Sequence, residues 1–177
     1  MIPGKEIEIK AGYHNDDETI FKGIIIKHSI KIRENNSVLI VECRDEAVKM
    51  TIGRKSNFYY ESKDSDIIEE LIGKYNLQSN IETTSFINNE MVQYRTSDWD
   101  FMITRAQLNG QICTVDDGKI KISKPDLSQE EVETITFGAT LLDFDAEMDA
   151  RNQFNSITTY GWNTSEPEVL EVESTDS

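Results

Sequence analysis

Apolar residues recur along this chain with two different periods, and the switches between them mark its elements. Ile7, Ile9, Ala11 and Tyr13 alternate with Glu6, Glu8 and Lys10, which predicts a half-buried strand, and HNDDE at 14–18 is a polar turn. Period two returns in TIFKGIIIKHSIKIRE at 19–34, where Gly23 inside the run predicts a bulge or bend. ENNS at 34–37 turns the chain into VLIVECRDE, a third strand that loses its pattern at Asp45-Glu46-Ala47. Three antiparallel strands with short polar turns make a meander whose edges must close or be covered, so a barrel or half-barrel is expected. KMTIGRKSNFYYE at 49–61 reads as a further extended stretch.

The period then changes to 3.6. Behind Ser65, the residues Ile67, Ile68, Leu71, Ile72 and Tyr75 form one broad stripe while Glu69 and Glu70 face out, predicting a helix over 65–76. SNIETTSFINNE at 79–90 is polar and irregular, with a short strand at most. A second helix follows: Ser97 and Asp100 stand three apart as in a capping box. Trp99, Met102, Ile103 and Ala106 make its buried stripe, and Asn109-Gly110 supplies the left-handed residue that ends it. Ile112 and Thr114 then alternate with Cys113 and Val115, Asp117-Gly118 suits a tight primed turn, and Ile120 and Ile122 alternate with lysines until Pro125. A helix therefore feeds a hairpin.

Beyond Asp126 the strongest signal is strict alternation. Leu142, Phe144, Ala146, Met148 and Ala150 interleave with Asp143, Asp145, Glu147 and Asp149, a pattern no helix sorts onto two faces, so this run is expected to be a strand. Ile135 and Phe137 predict a short strand before it, and FNSITTYGWN at 154–163 and EVLEVE near the end predict two more.

Composition narrows the partners more than the fold. Of 177 residues only 37% are hydrophobic, which leaves one domain or two small ones open. The net charge of −15 is uneven: residues 1–60 hold 10 Lys and Arg against 9 Asp and Glu, residues 61–125 hold 7 against 11, and residues 126–177 hold 1 against 13. Such a surface repels phosphate backbones and anionic lipid, so no nucleic-acid partner is expected, and no apolar run reaches the ~20 residues of a membrane segment. The N-terminus MIPGKEIEIK lacks the apolar core of a signal peptide. Cys43 and Cys113 have no metal-ligand spacing and read as free thiols.

Candidate chemistry is sparse. Asp143, Asp145, Glu147 and Asp149 on one strand face would stand ~7 Å apart, too far to share one Ca²⁺, and nothing aromatic nearby reads as a sugar cleft. A solvated or lumen-facing surface, or a contact face for a basic partner, is the expectation; a carboxylate-based hydrolase or Ca²⁺-binding module is the competing reading, and a generic partner-binding β domain a third. Asp98 and Asp100 flank Trp99 at a helix N-terminus, where they complement the dipole and cap free N–H groups without catalysis. His14 and His28 have no spaced partner, and no nucleophile elbow, phosphate loop or dinucleotide fingerprint occurs. No catalytic residue, cofactor or metal site is expected.

The segment TSDWDFMITRAQLNGQICTVDDGKIKI, with Ser97, Asp98, Trp99, Asp100, Arg105 and Gly110 at fixed spacing, resembles the hub region of VgrG-type spike proteins of type VI secretion and related contractile injection systems. TFGATLLDFDAEMDARNQFNSITTYGWN resembles the opening of that hub's second barrel, and GKEIEIKAGYHNDDETIFKGIII the later strands of its first. The resemblance implies an α+β chain with incomplete antiparallel β-barrel strands at both ends flanking a helix and hairpin module: residues 1–61 from a first tube-like barrel, 62–127 an α/β insertion, and 128–177 the opening of a second. It also implies a structural, non-enzymatic role adapting tube to spike. The implied partners are other copies of the chain in a trimer, the tube protein and the spike domain, in a cytoplasmic assembly delivered outward on contraction. Such proteins carry further domains downstream, so the chain is expected to be a fragment.

Overall fold

The computed structural model describes residues 2–13, 16–34, 36–151 and 154–175. Strands take up 51% of the chain and helices 16%, an α+β composition, and no closed barrel is found among the described residues. The chain divides into two units, Met1–Gln129 and Glu130–Ser177.

The first unit begins with an antiparallel meander of β1 (Glu6–Tyr13), β2 (Asp16–Arg33) and β3 (Asn36–Arg44), in the order β1-β2-β3. His14 and Asn15 of the first expected turn, and Asn35 of the second, lie outside the described residues. Gly23 does not carry a bulge. The register slips instead at Ile20, opposite Ile9 and Lys10, and at Ile26, opposite Cys43 and Glu42. Gly23 answers a close approach: a Cβ there would stand 2.2 Å from the Arg44 carbonyl oxygen and 2.7 Å from Phe21 Cζ.

After β3 the chain departs from the expected extended stretch. Glu46–Thr51 forms a 3₁₀ turn that drives Met50 fully into the core, and Asp45 holds it by accepting from the Ala47 N–H at 2.8 Å and the Gly118 N–H at 3.0 Å. β4 (Lys55–Lys63) leads into α1 (Asp64–Gly73), whose stripe of Ile67, Ile68, Leu71 and Ile72 is buried. The polar stretch that follows contains more structure than its composition predicts. β5 (Gln78–Ile81) runs parallel to β8 (Lys119–Ser123), and β6 (Ile87–Thr96) pairs antiparallel with β4 along its length. α2 (Asp98–Leu108) and β7 (Ile112–Asp116) complete the order, with β8 central in the sheet β5-β8-β7.

One core results. Ile67, Ile68, Leu71 and Ile72 of α1 pack with Phe101, Met102 and Ala106 of α2 over Ile120 and Ile122 of β8, and Met50 and Tyr59 seal the margin. The Tyr59 and Phe101 rings stack with centroids 6.0 Å apart.

In the second unit, β9 (Ser156–Asn163) and β10 (Glu168–Thr175) form an antiparallel hairpin. The run Leu142–Ala150, expected as a strand, is not one: it has no ladder partner among the described residues, and Leu142 and Met148 are each 98% exposed. Alternation makes a segment suitable for a sheet, but a strand needs an edge to bond to, and among the described residues this run bonds to none. The strand expected around Ile135 and Phe137 reduces to one isolated bridge between Phe137 and Leu141.

Candidate functional site

Two buried carboxylates, each the first residue of a helix, tie the helices to β6. Asp64 opens α1 and is 3% exposed. Arg105 of α2 donates to it twice, Nε to Oδ1 at 2.7 Å and Nη2 to Oδ2 at 2.9 Å, the planar fork that guanidinium and carboxylate favour. Asn109 Nδ2 adds 2.8 Å to Oδ2 and Asn88 Nδ2, from β6, 3.2 Å to Oδ1. Burial by itself would raise the Asp64 carboxyl, but the donors from Arg105, Asn109 and Asn88 outweigh it and hold the group below the usual carboxylate range.

Asp98 opens α2 and is 1% exposed. It does more than complement the helix dipole, as its position in the sequence predicts: Gln93 Nε2 of β6 donates at 2.8 Å to Oδ1, while Lys55 Nζ and the Tyr75 hydroxyl each donate at 2.6 Å to Oδ2. Burial again pulls upward and is outweighed, by Gln93, Lys55 and Tyr75 in that order, so the Asp98 carboxyl stays low. Capping falls to its neighbours: Ser97 Oγ accepts from the Asp100 N–H at 3.0 Å and donates to Asp100 Oδ2 at 2.6 Å. Gly110, at φ 67°, ends the helix, and the Gln111 N–H returns to the Ala106 carbonyl at 3.0 Å. Trp99 lies half-buried against the core beside a shallow apolar groove of about 400 Å³ that includes Ala47, Val48 and Val115.

Ser97, Asp98, Trp99, Asp100, Arg105 and Gly110 thus lie on α2 or at its ends but in separate contacts: Ser97 with Asp100 at the cap, Asp98 with Gln93, Lys55 and Tyr75, and Arg105 with Asp64 and Asn88. Every carboxylate oxygen of Asp64 and Asp98 accepts at least one hydrogen bond from a protein donor. Asn88 and Gln93 bond to these carboxylates and escape a reading by hydropathy, since they are buried amides five residues apart on β6, a spacing that fits no period of two.

Asp143, Asp145, Glu147 and Asp149 are brought to no pocket. All four are exposed, and Asp149 pairs with Arg151, two residues on. Among the described residues no three His, Cys, Asp or Glu side chains converge as metal ligands would. His28 is exposed on β2, His14 lies outside the described residues, and Cys43 and Cys113 are free thiols. What the surface does offer is apolar side chains on paired strands: Ile30 and Ile32 of β2 are 64% and 79% exposed, and Tyr160 and Trp162 of β9 are 65% and 62%.

A sequence profile described as the Alg8 N-terminal domain matches residues 1–177. No curated protein matches the chain in sequence. Among solved structures, the 43 kDa tail protein of prophage MuSo2 from Shewanella oneidensis superimposes with a TM-score of 0.64 at 14% identity, over 97% of this chain and 59% of that one. A tail protein from Neisseria meningitidis MC58 gives 0.68 at 16% identity, over 91% and 52%. An E. coli protein, c3393, described as a type VI secretion system component similar in structure to the T4 bacteriophage tail proteins gp27 and gp5, gives 0.55 at 11% identity, over 90% and 44%. The chain spans about half the length of these structures. At such identities the shared property is the fold, which is that of phage tail and type VI secretion proteins.

Proposed function

The chain belongs to the Alg8 N-terminal domain family, and from its likeness in fold to tail-type structures we propose that it is a structural piece of a contractile injection apparatus, a VgrG-like hub segment that adapts the tube to the spike. The observation that carries this reading is a likeness in fold to three tail-type structures over at least 90% of the chain. Exposed apolar strands at both ends support it, because an exposed strand edge is a template for pairing with another chain.

In this reading residues 1–61 are strands of a first tube-like barrel, 62–127 an insertion that stiffens the junction, and 128–177 the opening strands of a second barrel. Neighbouring strands from further sequence or further copies complete each wall. The partners are other copies in a trimer, the tube protein and the spike, and the assembly forms in the cytoplasm before it is driven outward. The chemistry is non-enzymatic: strand pairing and surface fit carry the role. Among the described residues no helix is long and apolar enough to cross a membrane.

Co-expression of the full open reading frame with the tube protein of the same gene cluster tests this. The expected result is a complex that comigrates on size exclusion and shows ring-shaped particles by negative stain; separate elution of the two proteins with no ring counts against it.

A further inference from the structure

Asn109-Gly110 is the one Asn-Gly step in the sequence, and it is where α2 ends. Asn109 Nδ2 donates to Asp64 Oδ2 at 2.8 Å and to the Arg105 carbonyl at 2.9 Å, so both of its N–H groups are committed. The backbone N–H groups of Asn109 and Gly110 donate to the carbonyls of Ala106 and Gln107, each at 3.0 Å. One amide side chain thus bridges the last turn of α2 to the first residue of α1.

The same step is chemically labile, because Gly110 has no Cβ to crowd the approach of its nitrogen to the side chain before it. Having lost its proton, the Gly110 nitrogen attacks Asn109 Cγ; the Cγ–Nδ2 bond breaks, ammonia leaves with a proton, and a five-membered imide closes. Water then opens the imide at one carbonyl or the other, giving an ordinary aspartate or a main chain rerouted through the side-chain carbonyl. Folding opposes the first step. Ring closure needs the Asn109 Cβ and the Gly110 nitrogen eclipsed about the Cα–C bond, whereas ψ of 8° eclipses Asn109's own nitrogen with it instead. It also needs the Gly110 N–H released from Gln107 and the side chain released from Asp64. The product does not fit the place left for it. A carboxylate here meets two acceptors, Asp64 Oδ2 and the Arg105 carbonyl, where Nδ2 had donated to both. The nearby cation, Arg105, already has its fork closed on Asp64, and Asn88 adds no charge. Turned out to solvent, the new carboxylate leaves Asp64 Oδ2 with Arg105 alone.

We propose that Asn109 is a site of spontaneous deamidation that the folded chain protects and the opened chain exposes, so that each conversion marks a chain that has opened and prevents it from closing as firmly again. The device is one-way. Opening of the contact between the two helices is reversible, hydrolysis of the amide is not, and the carboxylate it leaves sits against the acid that clamps those helices. This goes beyond the hub reading and does not depend on it.

The full chain is incubated in mildly alkaline buffer, without urea and in urea above its unfolding midpoint, and peptide mass mapping follows the conversion of amide to acid at Asn109. Conversion is expected to be more than about tenfold slower in the folded chain, because only the open fraction reacts, and to quicken as urea raises that fraction. Arg105→Lys, which loosens the clamp on Asp64, speeds conversion without urea and leaves the rate in urea unchanged. Asn109→Asp, the product made directly, unfolds at lower urea than wild type. The two wild-type rates need no variant and decide the matter even if Asn109→Asp fails to fold. A folded rate less than about tenfold below the unfolded one overturns the proposal, as does no conversion in urea, or an Asn109→Asp chain with the wild-type midpoint.

Discussion

Arg105, near the end of the second helix, grips Asp64, the first residue of the first helix, through two hydrogen bonds of 2.7 and 2.9 Å, with only 15% and 5% of the two side chains exposed. The pair joins residues 41 apart in sequence across the helix–helix contact. Desolvating two charges is tolerable here because Asn88 and Asn109 satisfy what Arg105 leaves open on the carboxylate.

Removing the cation while leaving the acid should therefore be severe. Arg105→Ala is expected to destabilise the chain by about 3–5 kcal/mol, because Asp64 becomes a buried charge without its partner. Arg105→Lys restores charge but not the fork and should recover only part of this. Urea unfolding of the three proteins under one condition measures both differences.

Stability should fall in acid for the same reason. Asp64 and Asp98 are both held below the usual carboxylate range in the folded chain. The unfolded chain therefore takes up protons first, so their contribution is complete above the unfolded carboxylate value near pH 4 and is lost as pH drops through the folded values. Thermal melts from pH 6 to pH 2 should show that decline, and Asp64→Asn should be less stable at pH 6 yet flatter in its dependence.

The opposite limb concerns Lys55 and Tyr75. The hydrogen bond to Asp98 is the chief cause that raises Lys55, and burial followed by the bond to Asp98 raises Tyr75. Both groups keep their protons longer folded than unfolded, so their contribution is present below about pH 10 and disappears as pH rises through the folded values. Tyr75→Phe should blunt the alkaline loss, read by melts between pH 8 and 11.

Much of this was legible in the residues and some was not. Ser97 and Gly110 mark the ends of the second helix because capping and a left-handed stop are local chemistry, each written within a few residues of its own end of the helix. The hairpin after it is equally local. β6 escaped because its inward positions are Asn88 and Gln93, so a reading that looks for apolar alternation sees only a polar loop; those amides are inward because two buried acids need donors. Met50 was misplaced for a related reason, since a 3₁₀ turn is set by Asp45 and not by periodicity. The run Leu142–Ala150 shows the reverse failure: its pattern is that of a strand, but pairing is a property of two segments and only one was in view.

Core and surface should separate cleanly in mutagenesis. Met102, fully buried between the helices, is expected to cost about 2–5 kcal/mol as Met102→Ala. Leu127, 96% exposed, should change stability by less than about 0.5 kcal/mol as Leu127→Ala. Gly23→Ala should sit with the core variants, at about 1–3 kcal/mol, because its Cβ meets the Arg44 backbone rather than a movable side chain. Chemical denaturation of all three measures the contrast.

The role as a tube-to-spike adaptor is tested most directly by electron microscopy of injection particles purified from cells that carry a tagged copy of the full open reading frame, alongside particles from a deletion strain. The expected result is tag density at one end only, where tube gives way to spike, and blunt or unassembled tubes in the deletion strain. Tag density along the whole tube or absent from the particle, or spike-bearing particles that form without the gene, would contradict it.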